Sequence, residues 1–578
     1  MFDIDQTLLV RALNSTRQTY LPTYVGLRLI GTQLPSGGNE YLQSLIVRRL
    51  NSGDPWRFRE FQLYKGTVYN GGVPSHEYRN CIASSPLTSI AEALVLTLLA
   101  ANPSFQISPR VFSYRWPKST RSGLSYEFFA EGYKRRNEQI ARALSRPNHL
   151  AVVTDIKKFY PSANKEKVFS MLAKALKGAG QAFGEQSNAV LGFYEQLLSH
   201  SKSGIPVGTA SSHVLGHLVL REVDAELTKE YGDNYFRYVD DIVVVCHSSD
   251  ELSVKKKVQD CIELHGFLLN ADKTLSIDSQ SWHRNIMRDD VVFEDSFRDF
   301  SKDLGVYLAF HPGRAESLSR LLTGSGLSIP VGKLLALSSY SRFRYFLKKS
   351  KSGVSKNIGL LLANNEDFLS RALSLKKVHE ETLSSLIQEP VERSENLRRL
   401  QVQRIRRVLN VMFYLRDFNE WKSDEIFDRL PELVEQKALA SALYSGNVNS
   451  ILPFSGRGPA AFSELWAEHR NDNATFEKKE ALGSAEIEAL TVLKLHGVIH
   501  QTSLEDFYGH KDSRLMRVVS ERGLTARSKP DLSFEDEFES LCLGASSYEI
   551  SELTRSRHSL TENTALEALS LMSSEYRS

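Results

Sequence analysis

Two adjacent aspartates, Asp240 and Asp241, interrupt the apolar run FRYVDDIVVV at residues 236–245. A buried strand seldom tolerates an unpaired carboxylate, because moving a charge out of water costs several kcal/mol or more. Divalent cations keep such carboxylates ionised. Successive strand residues face opposite ways, so both side chains can reach a metal only at the bend of a hairpin. The pattern therefore predicts a cation site at a hairpin turn.

A third acid, Asp155, follows the strand-like residues 150–153 in the segment LAVVTDIKKFYPS. Mg²⁺ in proteins prefers carboxylate and phosphate oxygens together with water. Acids from two strands that hold a pair of ions about 3.5–4 Å apart form the two-metal site of phosphoryl transfer. We therefore predict that Asp155 and Asp240 are the main ligands of Mg²⁺ or Mn²⁺ and that Asp241 supports them.

The elements that must position these acids alternate along residues 151–280. Strand-like runs are LAVVTDI and YFRYVDDIVVVC, and helical runs are NKEKVFSMLAKAL and ASSHVLGHLVLREVDAEL. From about residue 330 the pattern is helical to the end, with breaks at LPFSGRGP and near RSKPDLS. The acids are thus expected at strand ends in a mixed region that a long helical region follows.

Four segments, DIKKFYPS, GIPVGTASSHVL, YVDD and LNADKT, occur in that order and resemble palm motifs A to D of reverse transcriptases. The resemblance covers residues ~75–280. RVFSYRWP, YEFFAEGYKRRN and the extended motif B are similar to bacterial antiphage defence reverse transcriptases of the abortive-infection or "unknown group" lineage. Val207 stands where retroviral, retron and group II intron enzymes commonly have a glutamine that positions template and incoming base. This departure weighs against ordinary templated synthesis.

The resemblance implies an α+β fold with right-hand polymerase fingers and palm (an antiparallel sheet with helices), followed by a large all-helical C-terminal region. The predicted domains are fingers with an N-terminal extension at 1–150, a palm with motifs A–D at 151–300, a thumb-like helical region at 301–400 and an all-helical domain at 401–578.

The implied activity is RNA-directed DNA polymerase, a nucleotidyltransferase that makes DNA from dNTPs for antiphage defence. A non-coding RNA would serve as template, or synthesis would be untemplated. The alternatives are a group II intron- or retron-like enzyme, another palm polymerase, or an inert nucleic-acid-binding scaffold. The intact acidic trio argues against the scaffold, since such a protein would gain stability by losing buried like charges.

The resemblance also assigns roles to single residues. Lys273 matches the motif D lysine, a general acid for the leaving group. Tyr160 lies five residues after Asp155, where the family has an aromatic gate against the ribose 2′-hydroxyl; a core tyrosine in a turn is the alternative. Ile156 and Gly208 are assigned to nucleotide binding, Gly208 because backbone must approach a nucleotide closely there.

Basic residues of the fingers are candidates for gripping the triphosphate or the template. Arg115, in FSYRW, is the first choice because an arginine within an aromatic strand is costly unless paired. The other candidates are Arg79, Lys134, Arg135 and Arg136.

The segment 396–418 reads as a mostly buried helix, because its apolar residues fill more than half of the circumference. Its remaining stripe carries Arg399, Arg406 and Arg407 beside Gln403, Asn410 and Tyr414, with no acid. We predict that the arginines bind the backbone of RNA or DNA. Acids of another subunit in a homo-oligomer are the next alternative, and a solvated stripe the last. The aromatic and basic segment SYSRFRYFLKKSKSG at 338–353 suits a thumb helix on nucleic acid or a solvated helix end.

Composition narrows the class of protein. A chain of 578 residues is too long for one core, and 41% hydrophobic with 24% charged residues is ordinary for a soluble protein. No apolar run is long enough to span a bilayer, and MFDIDQTLLV does not resemble a signal peptide. The four scattered cysteines fit neither a zinc motif nor a disulfide framework, and His213 and His217, without a third ligand, are expected on a helix surface. We predict a cytoplasmic protein with no membrane partner.

Overall fold

A computed structural model describes most of the chain. The described residues are 6–17, 19–34, 38–70, 73–119, 122–178, 184–270, 273–287, 290–334, 359–392, 395–421, 426–469, 473–477, 482–499, 514–518 and 533–556. The basic segment 338–353 and the predicted break near RSKPDLS lie outside the described residues.

A four-stranded antiparallel sheet lies at the centre of the first half of the chain. Its strands are β3 (His149–Asp155), β4 (Tyr235–Tyr238), β5 (Asp241–His247) and β6 (Leu275–Asp278), in the order β4-β5-β3-β6. The apolar residues of β3 and β5 pair in register, from Leu150 opposite Cys246 to Asp155 opposite Asp241. Strong β-formers in these two central strands thus bring the predicted acids together at one end of the strands.

A separate long hairpin precedes this sheet. It consists of β1 (Phe58–Asn70) and β2 (Val73–Ser84), which pair antiparallel with an irregularity between Tyr64 and Gly66. The pairing runs as far as Asn70 opposite Val73.

Helices surround both sheets and make up most of the second half. In the first half they are α1 (Gln6–Thr16), α2 (Leu21–Gln33), α3 (Gly38–Ser52), α4 (Pro86–Ala100), α5 (Phe129–Leu144), α6 (Phe159–Ser162), α7 (Lys165–Lys177), α8 (Gly184–His200), α9 (Ser212–Val219), α10 (Arg221–Tyr231), α11 (Glu251–Leu264) and α12 (Ser279–Trp282). In the second half they are α13 (Asp290–Phe310), α14 (Ala315–Gly324), α15 (Val331–Leu334), α16 (Asn365–Gln388), α17 (Glu395–Leu415), α18 (Ile426–Arg429), α19 (Val434–Ser445), α20 (Arg457–His469), α21 (Ser484–Leu495), α22 (Arg514–Val518), α23 (Phe534–Cys542) and α24 (Ser547–Arg555).

The described residues form two hydrophobic cores. One combines the palm-like sheet with helices from α1 to α12, and the other joins helices from α13 to α22. The last helices return to the first core, where Phe534, Phe538 and Ile550 are buried. Glu537 of α23 accepts hydrogen bonds from the Leu87 amide (2.7 Å) and the Ser85 hydroxyl (2.9 Å), so it caps the N-terminus of α4. The C-terminal helices therefore stabilise the N-terminal part of the chain.

The predicted α+β class, with an antiparallel sheet followed by a large helical region, is confirmed. The domain boundaries stay a prediction. None of the helices in the described part of the chain combines the length and the apolar character needed to cross a membrane.

Candidate active site

Three carboxylates meet at one edge of the palm sheet. Asp155 ends β3 directly opposite Asp241, the first residue of β5, and Asp240 occupies the turn before it. The Ile156 amide donates a hydrogen bond to the carbonyl oxygen of Asp240 (3.3 Å), which ties the turn to β3. One carboxylate oxygen from each acid lies within 4.8 Å of the other two. The structure thus brings Asp155 together with the adjacent pair Asp240 and Asp241, which lie about 85 residues later in the sequence.

The turn that carries Asp240 is held in an unusual conformation. Val239 has a φ of +56°, a left-handed backbone that costs a β-branched residue on the order of 1–3 kcal/mol. Its amide donates to the hydroxyl of the buried Ser113 (2.9 Å), and its carbonyl accepts from a guanidinium nitrogen of Arg237 (2.7 Å). These two bonds offset the strain and fix the direction in which Asp240 points.

Arg237 is itself held by a buried acid. Its Nε and one terminal nitrogen donate to the two carboxylate oxygens of Asp224 on α10, at 2.6 Å each, and only 1% of its surface is exposed. Burial opposes the charge, but Asp224 outweighs it and raises the pKa of Arg237. The sequence reading missed this pair. The signal was an arginine inside the apolar strand YFRY, which requires an anionic partner.

The chemistry of the cluster fits divalent cations. Three carboxylates crowded at a partly buried edge repel one another, and hard oxygen donors are what Mg²⁺ or Mn²⁺ would take. Asp155, Asp240 and Asp241 would hold the ions. Lys273 lies beside the cluster, with its Nζ 2.8 Å from Asp155 Oδ2, and the Asn270 amide donates to the Asp155 carbonyl (2.8 Å). The structure therefore brings the predicted general acid into the same site.

Tyr160 lies on α6 and is 4% exposed. Its hydroxyl is 2.9 Å from Nδ1 of His213, whose ring stacks on Tyr114 with centroids 3.3 Å apart. His213 is thus packed between aromatic rings and does not lie on an open helix surface as predicted. Burial raises the pKa of Tyr160 above its ordinary value, and the charges of Asp240 and Arg79 also act on its hydroxyl.

A cavity of about 210 Å³ opens beside these rings. It is lined by α1, α4, β1, β2, the start of α9 and the loop before α9. The lining residues include Gly208, Arg79, Glu92 and His213. Gly208 has a φ of +111°, and a Cβ there would lie 2.7 Å from the carbonyl oxygen of Ile82. Only glycine lets this loop approach β2 so closely. Gly208 is thus required for packing against β2, and the close approach of its backbone to a nucleotide stays a prediction.

The arginine chosen from the sequence, Arg115, has another role. Its guanidinium donates to the carbonyls of Ser108 (3.1 Å) and Val111 (2.7 Å), and burial lowers its pKa. Arg115 therefore finds in backbone carbonyls the partners that its position requires. Of the fingers arginines in the described ranges, Arg79 lines the cavity and Arg115 does not. This geometry favours Arg79 for nucleotide binding.

The neighbouring basic cluster is also engaged within the fold. Arg136 is buried over the rings of Tyr133 (4.7 Å) and Tyr238 (5.5 Å), and Arg135 pairs with Glu127 (2.5 Å).

The helix predicted at 396–418 is α17, and its burial is confirmed. The prediction that the polar stripe of this helix is an open face is wrong, since Gln403, Asn410 and Tyr414 are buried. Arg406 donates to the carbonyl of Glu432 (2.8 Å) and faces the buried Glu435, whose pKa burial raises to about 7 while Arg406 opposes the shift.

For Arg406, acceptor and negative charge come from Glu432 and Glu435, at and before the start of α19. The pattern of residues on one helix cannot reveal such a partner from another segment. Arg399 is exposed and Arg407 half-buried, so nucleic-acid binding there stays a prediction.

Residues 72–283 match the family model of reverse transcriptase (RNA-dependent DNA polymerase). The match contains the whole acidic site from Asp155 to Lys273. This part of the chain is a reverse transcriptase domain, and the enzyme class that it defines is RNA-directed DNA polymerase.

No curated protein sequence matches the chain significantly. Among solved structures the chain is similar to apo telomerase from Candida Tropicalis, with 11% sequence identity and a TM-score of 0.26, over 72% of this chain and 69% of that one.

Proposed function

We propose that the protein synthesises DNA from dNTPs by two-metal nucleotidyl transfer at Asp155, Asp240 and Asp241. The observation that carries the proposal is the convergence of three carboxylate oxygens within 4.8 Å at the end of two paired strands. Bound Mg²⁺ or Mn²⁺ would lower the pKa of the primer hydroxyl and neutralise charge on the triphosphate. Loss of nucleotide incorporation in the Asp240→Asn variant tests the proposal.

The other residues of the site have roles that need no metal. Lys273, 2.8 Å from Asp155, is positioned to give a proton to the leaving pyrophosphate. Arg79 in the cavity wall supplies a fixed positive charge for the triphosphate. Gly208 lines the same cavity as Arg79, and Ile156 directly follows Asp155; in this proposal both contact the nucleotide through their backbone. The left-handed turn at Val239 holds Asp240 beside Asp155 and Asp241.

Tyr160 selects deoxynucleotides in this proposal. Its ring is fixed by burial and by the bond to His213, so it would clash with a ribose 2′-hydroxyl. We expect Tyr160→Ala to raise the ratio of rNTP to dNTP incorporation by at least about tenfold, the effect of removing a steric wall from a pocket. Single-nucleotide incorporation assays with each nucleotide class measure this ratio.

Tyr160→Phe is the matched control, because it removes the hydroxyl bond to His213 and keeps the ring. It should discriminate as well as the wild type. An unchanged ratio in an alanine variant that still uses dNTPs would exclude the gate and leave Tyr160 as a core residue.

We further propose that the DNA serves antiphage defence in the bacterial cytoplasm, with a non-coding RNA as template or without a template, in a homo-oligomer. The support is the likeness of the motif B segment IPVGTASSHVLGHLVLREVD and of the fingers segments to defence reverse transcriptases. Val207 in place of a template-positioning glutamine is the feature that keeps untemplated synthesis open.

A host that carries the gene should resist some phages, and the double variant Asp240→Asn/Asp241→Asn should lose this resistance because DNA synthesis is the effector. The measurement is the efficiency of plating over a phage panel, with equal protein levels verified. Asp250→Asn, an exposed acid beyond β5, is the control and should protect. Full protection by the double variant would mean that polymerisation is not what stops the phage.

A further inference from the structure

Two helices on the far side of the catalytic hairpin bring a glutamate, a cysteine and a histidine together. Glu226 lies on α10, Cys261 on α11, and His265 directly follows α11. Glu226 Oε2 is 3.3 Å from Cys261 Sγ, and its Oε1 is 3.0 Å from His265 Nε2. One ligand atom from each side chain lies within 4.8 Å of the other two. We propose that Glu226, Cys261 and His265 bind one Zn²⁺ ion.

The donor types select the metal. A thiolate and an imidazole are ligands for Zn²⁺ and not for Mg²⁺, which takes oxygen. Ligand atoms around a tetrahedral zinc with bonds of about 2.0–2.3 Å lie roughly 3.4–3.6 Å apart. The two separations from Glu226, 3.0 and 3.3 Å, need to open by only a few tenths of an ångström. The ligand atoms of Cys261 and His265 lie within 4.8 Å of each other, so side-chain rotation has to bring them and one Glu226 oxygen around the ion.

A second carboxylate orients the histidine. Glu222 lies one helical turn before Glu226, and its Oε2 is 3.5 Å from Nδ1 of His265. A proton on Nδ1 directed at Glu222 leaves the Nε2 lone pair facing Glu226 and Cys261. Histidine ligands of zinc show this carboxylate–histidine arrangement, which fixes the tautomer and strengthens the ligand. The His265 side chain is 9% exposed, so its orientation is also fixed by packing.

The Cys261 thiol and the exposed Glu226 determine how a zinc ion would enter this cluster. Cys261 is half-buried, and without metal its thiol donates its proton to Glu226 Oε2, 3.3 Å away. Zinc displaces this proton on binding. The three ligands leave a further coordination position to water, because Glu226 is exposed at the protein surface.

The position of the site implies that a bound zinc ion would stabilise the catalytic hairpin. Helix α10 immediately precedes β4 and carries Asp224, the partner of Arg237 beneath the catalytic turn. Helix α11 follows β5 and leads to Asn270 and Lys273. A zinc ion would therefore join the helices at the two ends of the hairpin that presents Asp240. The sequence does not reveal this site, since Cys261 and His265 alone match no zinc motif and the glutamate comes from another helix.

The test is zinc binding by the purified full-length protein. The protein is stripped with a chelator and dialysed against ZnCl₂ in excess Mg²⁺, which occupies the aspartate site, and bound zinc is measured by elemental mass spectrometry. We expect one zinc per wild-type chain and its loss in Cys261→Ser and in His265→Gln. Co²⁺ in place of Zn²⁺ should give a thiolate-to-cobalt charge-transfer band that Cys261→Ser abolishes.

Two control variants separate this site from its surroundings. Asp240→Asn alters the catalytic acids and should keep both the zinc and the cobalt band. Lys257→Gln removes the ion pair with Glu230, another contact between α10 and α11, and should also keep them. A wild-type protein without zinc and without the band, or a Cys261→Ser variant with unchanged zinc content, would overturn the proposal and leave Glu226 and His265 as an ordinary ion pair.

Discussion

Asp240→Asn should abolish nucleotide incorporation while the protein stays folded. Asp240 is one of three carboxylates within 4.8 Å, and its replacement removes a charge that the divalent cations need. Metal stabilisation of the transition state is worth several kcal/mol, so we expect a loss of about a thousandfold or more, corresponding to about 4 kcal/mol. Two assays measure the effect: extension of a primed template with dNTPs, and attachment of dNTPs to the protein itself in the absence of a nucleic-acid primer.

The fold should tolerate this change, because removing one of three crowded like charges relieves repulsion. The thermal midpoint of Asp240→Asn should therefore be no lower than that of the wild type. Asp155→Asn should also lose incorporation, and it additionally removes the ion pair with Lys273. Asp250→Asn is the control, because it changes an exposed acid just after β5. Near-wild-type incorporation by either site variant would falsify the assignment of the polymerase site.

The parts of this site that sequence reasoning found are those encoded by local pattern. The apolar runs of β3 and β5 identify two buried strands, and an acid at the end of each identifies a cation site. Asp240 and Asp241 side by side also predict the hairpin bend, which the structure has at Val239. Burial of α17 followed in the same way from the width of its apolar arc.

The parts that sequence reasoning missed depend on contacts between distant segments. Ser113 supports the Val239 amide from a loop more than a hundred residues earlier, and no local pattern marks that serine. Arg115 was chosen because it needed a partner, but backbone carbonyls supply one as well as a nucleotide does. The stripe on α17 was judged open because one helix does not show that Glu435 would cover it.

Arg237→Met should destabilise the protein strongly, by about 3–5 kcal/mol, because it leaves Asp224 as a buried charge without its partner. The side chain of Arg237 is 1% exposed and that of Asp224 7%, so water cannot replace the lost bonds. Chemical denaturation of the purified protein measures the loss. A matched control is Arg110→Met, which removes an arginine whose partner, Asp233, is largely exposed, and it should cost less than about 1 kcal/mol.

The double variant Arg237→Met/Asp224→Asn separates stability from positioning. It removes both charges and keeps an acceptor for the Tyr235 hydroxyl, which bonds Asp224 at 2.7 Å, so most of the lost stability should return. Incorporation should nevertheless stay low, because the Val239 carbonyl still lacks the donor that holds the left-handed turn, and Asp240 is no longer fixed toward the other acids. If the double variant polymerises at the wild-type rate, Arg237 contributes through folding alone, and the Ser113 bond suffices to position the catalytic turn.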